Sequence, residues 1–307
     1  MPSMWMGPGL VLLFAISQAL RDVYFAGVFQ DVNFFVVVLI AFSISIVVCG
    51  ARGFVRNRSE LRRIHSELRA FIWMNVTTAI AWSCYFFALK TLQPSIVNTL
   101  HSAIAPLTVI VLGVFGVSIV GKSETNRTER FCYYGLAASI VALWWVTLSG
   151  RSGLVSNDPL TLLAALALLL VSGTAITISL LLSKRMNDRG FGADAITVGR
   201  YPLITLVALI ALLSSHQSIG ITSTGQLITI ALAAALLIGL PLYVLQVGIA
   251  NTAPLTGHVI RSLGPVFIFA LELVEQRITY SVPTLACVVL YCAFSIGANL
   301  ARGWRRA

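Results

Sequence analysis

Charge is scarce in this chain. Of its 307 residues 10% are Asp, Glu, Lys or Arg and 58% are hydrophobic, whereas an ordinary soluble domain carries about 25% charged residues. A soluble fold of this size could not cover its surface with so few charges, so lipid is expected to be the solvent over most of it. Lysine is rarer still. Lys90, Lys122 and Lys184 all fall at loops or span ends, which excludes a mid-membrane Schiff base of the retinal kind. No phosphate-cradling P-loop is present, so ATP is not the energy source. HExxH and GxSxG are absent, and no acidic pair has a protease-like setting. Cys49, Cys84, Cys132, Cys287 and Cys292 form no CxxC pair, so neither a zinc site nor a disulfide framework is expected, and no cofactor or metal is called for. No Lys or Arg precedes the first apolar run, which therefore reads as a retained helix rather than a signal peptide.

What the chain does have is long apolar runs. Ten segments stand out, near 8–27, 33–50, 70–89, 95–119, 131–149, 159–183, 195–214, 226–246, 253–274 and 280–301. Each is long enough to cross a hydrocarbon core of roughly 30 Å as a helix. Ten transmembrane helices in an all-α integral membrane protein are thus expected. The net charge of +10 does not mark a nucleic-acid binder, because the basic residues sit in short loops between apolar runs. Loops near 51–69, 120–130 and 184–194 and the C-terminal tail hold fifteen of the 21 Lys and Arg, and the opposite loops hold three, Lys90, Arg151 and Arg277. That asymmetry predicts cytoplasmic placement for both termini and for the basic loops. The stretch 51–69 reads as a topogenic loop, with a short amphipathic helix on an anionic membrane face as the alternative.

The chain also reads as two halves, 1–150 and 151–307. Shifting LQPSIVNTLHSAIAPL by 160 positions onto TAPLTGHVIRSLGPVF lays Pro94 on Pro254, Asn98 on His258, His101 on Arg261 and Ser102 on Ser262. Five spans per half is an odd number, so the halves would enter the membrane in opposite senses. Inverted repeats of this kind recur in secondary transporters, with the substrate held near the midplane between them.

The motifs CYFFALKTLQPSIVNTLHSAIAPLTVIVLG with YYGLAASIVALWW, and LYVLQVGIANTAPLTGHVIRSLGPVFIFALELVEQRIT, resemble those of the drug/metabolite transporter superfamily, in its EamA-type branch. The resemblance implies two five-helix repeats, both termini cytoplasmic, and a place in a bacterial inner membrane. In this light Glu275-Gln276-Arg277 looks like the family's acidic turn, and Arg200 sits where many members carry an arginine. The chain departs from the pattern at Arg21-Asp22, where the family has Trp-Gly, and in its first acidic turn, where only Glu124 and Glu129 are available.

Ionisable groups inside a bilayer are costly and usually face the bundle interior. Arg261 lies about nine residues into its span, roughly 13 Å deep. His258 is three residues earlier on the same face, and Pro265 deprives the Arg261 carbonyl of its helical donor. The functional reading is an anchor for a carboxylate; the structural one is an ion pair with Asp22 or Glu272. Asn98, His101 and Pro106 repeat the arrangement in the fourth span, facing the His258/Arg261 pair. Asn75, Thr78, Trp82 and Tyr85 form one stripe on the third span, either a cavity wall with two rings for stacking on a ligand or helix–helix packing. Arg21 and Asp22 diverge by about 100° and so need separate partners. Asp22 is a candidate proton carrier, as is His258, although an end to the first span near residue 20 would leave Arg21 and Asp22 at the interface. Arg200 is expected to snorkel to water, and Glu272 and Glu275 to reach water or pair with Arg277. The expected function is secondary transport, with export as the expected direction, of a small amphipathic metabolite carrying a carboxylate, such as an amino acid, an amino-acid-derived product or a metallophore. Protons are the expected coupling ion and the bilayer the expected surroundings. The alternative is an intramembrane enzyme acting on a lipid-linked substrate, with His101, His258 and Asp22 as acid–base groups.

Overall fold

A computed structural model describes residues 6–115, 126–153, 158–215, 219–250, 254–275 and 278–303; within these, the side chains of residues 6, 246–250, 254, 255, 257, 258, 302 and 303 are outside the description. The described residues are helical or short connections, with no strand among them. The helices are α1 (Met6–Asp31), α2 (Phe34–Arg56), α3 (Arg58–Arg63), α4 (Leu68–Thr91), α5 (Pro94–Val114), α6 (Arg127–Leu148) and α7 (Pro159–Asp188). They continue as α8 (Ala193–Arg200), α9 (Pro202–Ser214), α10 (Thr224–Ala234), α11 (Leu240–Ala250), α12 (Pro254–Ser262), α13 (Gly264–Glu272) and α14 (Val282–Gly303).

Among the described residues nine helical stretches are long and apolar enough to cross a membrane. They coincide with nine of the ten expected segments. The exception is 253–274, which is two helices of nine residues each, α12 and α13, too short to span singly. The chain turns at Leu263, and Pro265 in the first turn of α13 supplies the reason: it has no N–H to continue the ladder. A similar break at Tyr201, ahead of Pro202, divides α8 from α9, which together make one of the nine stretches, Ala193–Ser214. A π-helical turn, Ala235–Gly239, joins α10 to α11.

Helix starts follow local chemistry. Asp158 and Asn126 cap α7 and α6 by accepting from Thr161 N and Glu129 N, and Pro159 and Pro94 occupy the first helical positions, where a missing N–H costs nothing. The basic stretch after α2 is not a loop. It forms α3 and a 3-10 turn, Ile64–Glu67, and Leu61 and Ile64 pack on the cluster of Phe71, Met74, Phe191 and Ile196, while Arg58, Arg62 and Arg63 are exposed.

The main packing partners are α4 with α7, α6 with α14, α1 with α11, α2 with α8 and α9, α5 with α7 and α13, and α1 with α12 and α13. Small residues permit the closest approaches. At Gly173 of α7 an added Cβ would stand 2.9 Å from Ile104 Cβ and 3.0 Å from the His101 carbonyl oxygen of α5. Phe25, Phe29, Phe42 and Phe86 are fully enclosed, while Val114, Leu160, Trp145 and Leu213 project outward, as lipid-facing side chains do.

Candidate functional site: a polar hub between α1, α4, α5 and α12

α1 carries Arg21 and Asp22 in its interior, and both are buried. The expectation that the first span ends near residue 20 is overturned, since α1 runs on to Asp31. The expectation of separate partners is overturned as well. Arg21 folds back along its own helix, with Nε 2.8 Å and Nη2 2.6 Å from Asp22 Oδ1. The long arginine stem spans the angle between adjacent positions, and two charges withdrawn from water gain most from each other.

The other oxygen of Asp22 gathers α4 and α5. Tyr85 Oη donates to Oδ2 at 2.7 Å and Asn98 Nδ2 donates to it at 3.1 Å. Arg21 Nη2 also donates to Tyr85 Oη at 3.3 Å. The Arg21 guanidinium lies 5.2 Å from the Trp82 ring centre and 5.4 Å from that of Tyr85. The two rings expected to stack on a ligand thus hold the protein's own cation. Trp82 Nε1 is buried and has no hydrogen-bond partner among the described residues.

His101 stands edge-on to Tyr85 at 4.7 Å between ring centres. Its Nδ1 is 3.1 Å from Ser172 Oγ of α7, which donates to the Ala81 carbonyl at 2.7 Å; Ser172 was not singled out from sequence. Arg21 and Arg261 both act electrostatically on His101. The start of α13 lies against α5, with Gly264 beside Asn98 Oδ1. The fourth segment and the broken 254–272 segment therefore meet at this hub.

Arg261 closes the circle from the last turn of α12. It is half-buried. Its guanidinium lies 6.0 Å from the Phe14 ring centre. Among the described residues it has no ion pair and no hydrogen bond. Both carboxylates considered as its structural partners are engaged elsewhere. Asp22 holds Arg21, Tyr85 and Asn98, and Glu272 accepts from Ser95 N at 2.6 Å and Gln93 Nε2 at 2.8 Å. His258 lies on α12, but its side chain is outside the described residues, as are Glu124, Gln276 and Arg277.

Three expectations are corrected here. Asn75 is not at the hub. Its amide donates to the Phe71 and Gly199 carbonyls and its Oδ1 accepts from Leu203 N, so it clasps the break between α8 and α9. Arg200 does not snorkel; it is buried and donates from Nε to Thr78 Oγ1 at 2.9 Å, and Thr78 bonds Ser179. Arg200 ends α8, where unpaired carbonyls offset its charge. Glu272 does not reach water. It is 2% exposed and caps the start of α5. Gln93 Oε1 accepts from Gly153 N, and Gly153 O from Thr279 N and Oγ1, so one polar chain ties both halves at that end of the molecule.

No family model and no curated protein matches this chain by sequence. Among solved structures, one crystal structure of a protein superposes with a TM-score of 0.62 at 16% identity, over 98% of this chain and 96% of that one. The likeness extends to the fold alone.

Proposed function

We propose that the chain is a secondary transporter of the EamA type within the drug/metabolite transporter superfamily, exporting a small amphipathic metabolite that carries a carboxylate. One observation carries this reading: Arg261 is a half-buried cation on an apolar segment, with no acid and no hydrogen-bond acceptor among the described residues. An unpaired charge within an apolar membrane segment is costly. A transient anionic partner accounts for its presence. The freer state of Arg261, against Arg200 with its Thr78 bond, makes it the anchor. The open Trp82 Nε1 is a further donor for the same ligand and His101, whose Nδ1–H goes to Ser172 Oγ, offers its Nε2 as an acceptor, while Asn98 and Tyr85 join that end of the site to Asp22. Asp22 is the proposed proton-coupling group, with His258 beside Arg261 in sequence as the second.

Ten spans follow if α12 and α13 together count as the ninth. The packing supports two inverted five-helix repeats, 1–150 and 151–307. The second, fourth and fifth spans each pack on their counterparts, as α2 on α8 and α9, α5 on α13, and α6 on α14. The contact of α4 with α7 has its counterpart in α1 with α11, and that of α5 with α7 in α13 with α1. The Lys/Arg bias supports cytoplasmic termini in a bacterial inner membrane.

The test is flux of a metabolite panel in reconstituted vesicles, with and without a pH gradient. Arg261→Ala is expected to abolish flux of the transported carboxylate at unchanged expression and insertion. Full flux in that variant removes the anchor. Turnover of a lipid-linked substrate by protein in detergent, with no vesicle flux, would instead establish the enzymatic alternative.

A further inference from the structure

Away from the hub, residues at the start of α4 and the end of α7 line a groove of about 530 Å³. Its wall changes character along its length. One end is lined by Arg69, Arg185 and Arg189 together with the carboxylate of Glu67. Trp73, one turn above Arg69 and 55% exposed, forms the lip. Further along α7 the wall is Leu182 and then Ile178. From Arg185 to Ile178 is roughly 10 Å of helix rise, so a cationic end gives way to an apolar floor within the depth of a headgroup region.

The cations are not equivalent. Arg189 is paired with Glu67. Arg69 and Arg185 are exposed and have no ion pair or hydrogen bond among the described residues. They lie on the Lys/Arg-rich face beside Trp73, a residue type enriched where membranes meet water. We propose that this groove binds an anionic phospholipid of the adjoining leaflet. Its phosphate sits between Arg69 and Arg185, and the upper part of an acyl chain lies over Trp73, Leu182 and Ile178. The graded wall decides the ligand class. A soluble phosphate needs no apolar floor, and a zwitterionic lipid gains less from two unpaired guanidiniums. The occupant would bridge α4 and α7, which form the most extensive helix pair among the described residues.

The test uses the purified full chain in a neutral detergent, titrated with dioleoyl phosphatidylglycerol, dioleoyl phosphatidylcholine or inorganic phosphate. The readouts are melting temperature and lipid phosphorus retained through gel filtration. Phosphatidylglycerol is expected to raise the melting temperature and co-purify; the other two are not. Arg69→Gln with Arg185→Gln should weaken the half-saturating phosphatidylglycerol concentration by about tenfold or more. Arg56→Gln with Arg62→Gln, exposed on the same face outside the groove, should leave it unchanged. The proposal is overturned if the groove variant titrates as the unaltered chain, if the control pair loses as much, or if phosphatidylcholine or inorganic phosphate gives the full shift.

Discussion

Replacing Glu272 tests how tightly one end of this molecule is held. The carboxylate accepts from Ser95 N at 2.6 Å and Gln93 Nε2 at 2.8 Å in a site only 2% exposed. Glu272→Ala strands both donors. Each unmet buried donor costs about 1–3 kcal/mol, partly offset because a buried charge has also gone, so a net loss of about 2–4 kcal/mol is expected. Glu272→Gln is the more discriminating variant. Its amide oxygen still accepts from Ser95 N, but its NH₂ meets another NH₂ at Gln93. Gln93 cannot rotate to relieve this, because its Oε1 already accepts from Gly153 N at 3.1 Å. The expected loss is one bond, about 1–2 kcal/mol. At an unfolding entropy of about 2.1 cal/mol/K per residue these losses lower the melting temperature by roughly 3–6 °C for Ala and 1–3 °C for Gln. Melting in detergent, followed by tryptophan fluorescence, reads the series. Equal melting of Glu272→Gln and the unaltered chain would refute the reasoning, since it would mean the Gln93 amide is not fixed by Gly153.

Two further perturbations separate structure from transport. Asp22→Ala leaves Arg21 buried without its carboxylate and should destabilise by about 3–5 kcal/mol, whereas Arg21→Met with Asp22→Leu should recover much of that; equal melting of the single and double variants would contradict the pairing. Asn75→Ala opens the clasp on the α8–α9 break at an expected cost of about 1–3 kcal/mol, with the apparent KM for transport unchanged. A large rise in KM at unaltered melting would return Asn75 to the substrate site.

The spans were legible because apolar runs and charge placement report directly on the solvent. The breaks were half legible. Pro265 announced the loss of a ladder bond, yet it did not announce that the chain would turn at Leu263 and divide the segment in two. The stripe on α4 illustrates the limit. Periodicity put Asn75, Thr78, Trp82 and Tyr85 on one face, but not what lay opposite. One end of the stripe meets the α8–α9 break and the other meets Arg21, Asp22 and His101. The Arg21–Asp22 pair was missed because backbone directions were weighed and side-chain reach was not. Glu272 and Gln93 stand 179 positions apart, a separation over which local patterns carry no information.

The molecule is laced differently at its two rims. Near Gln93 the fastening is dry, so parting α5 from α13 sacrifices bonds that nothing replaces at once. At the far rim Arg52 meets Asp194 at 2.6 Å with side chains 31% and 12% exposed, and water stands ready to take over as α2 leaves α8. The two rims therefore yield to unequal effort, and parting α5 from α13 costs more than parting α2 from α8.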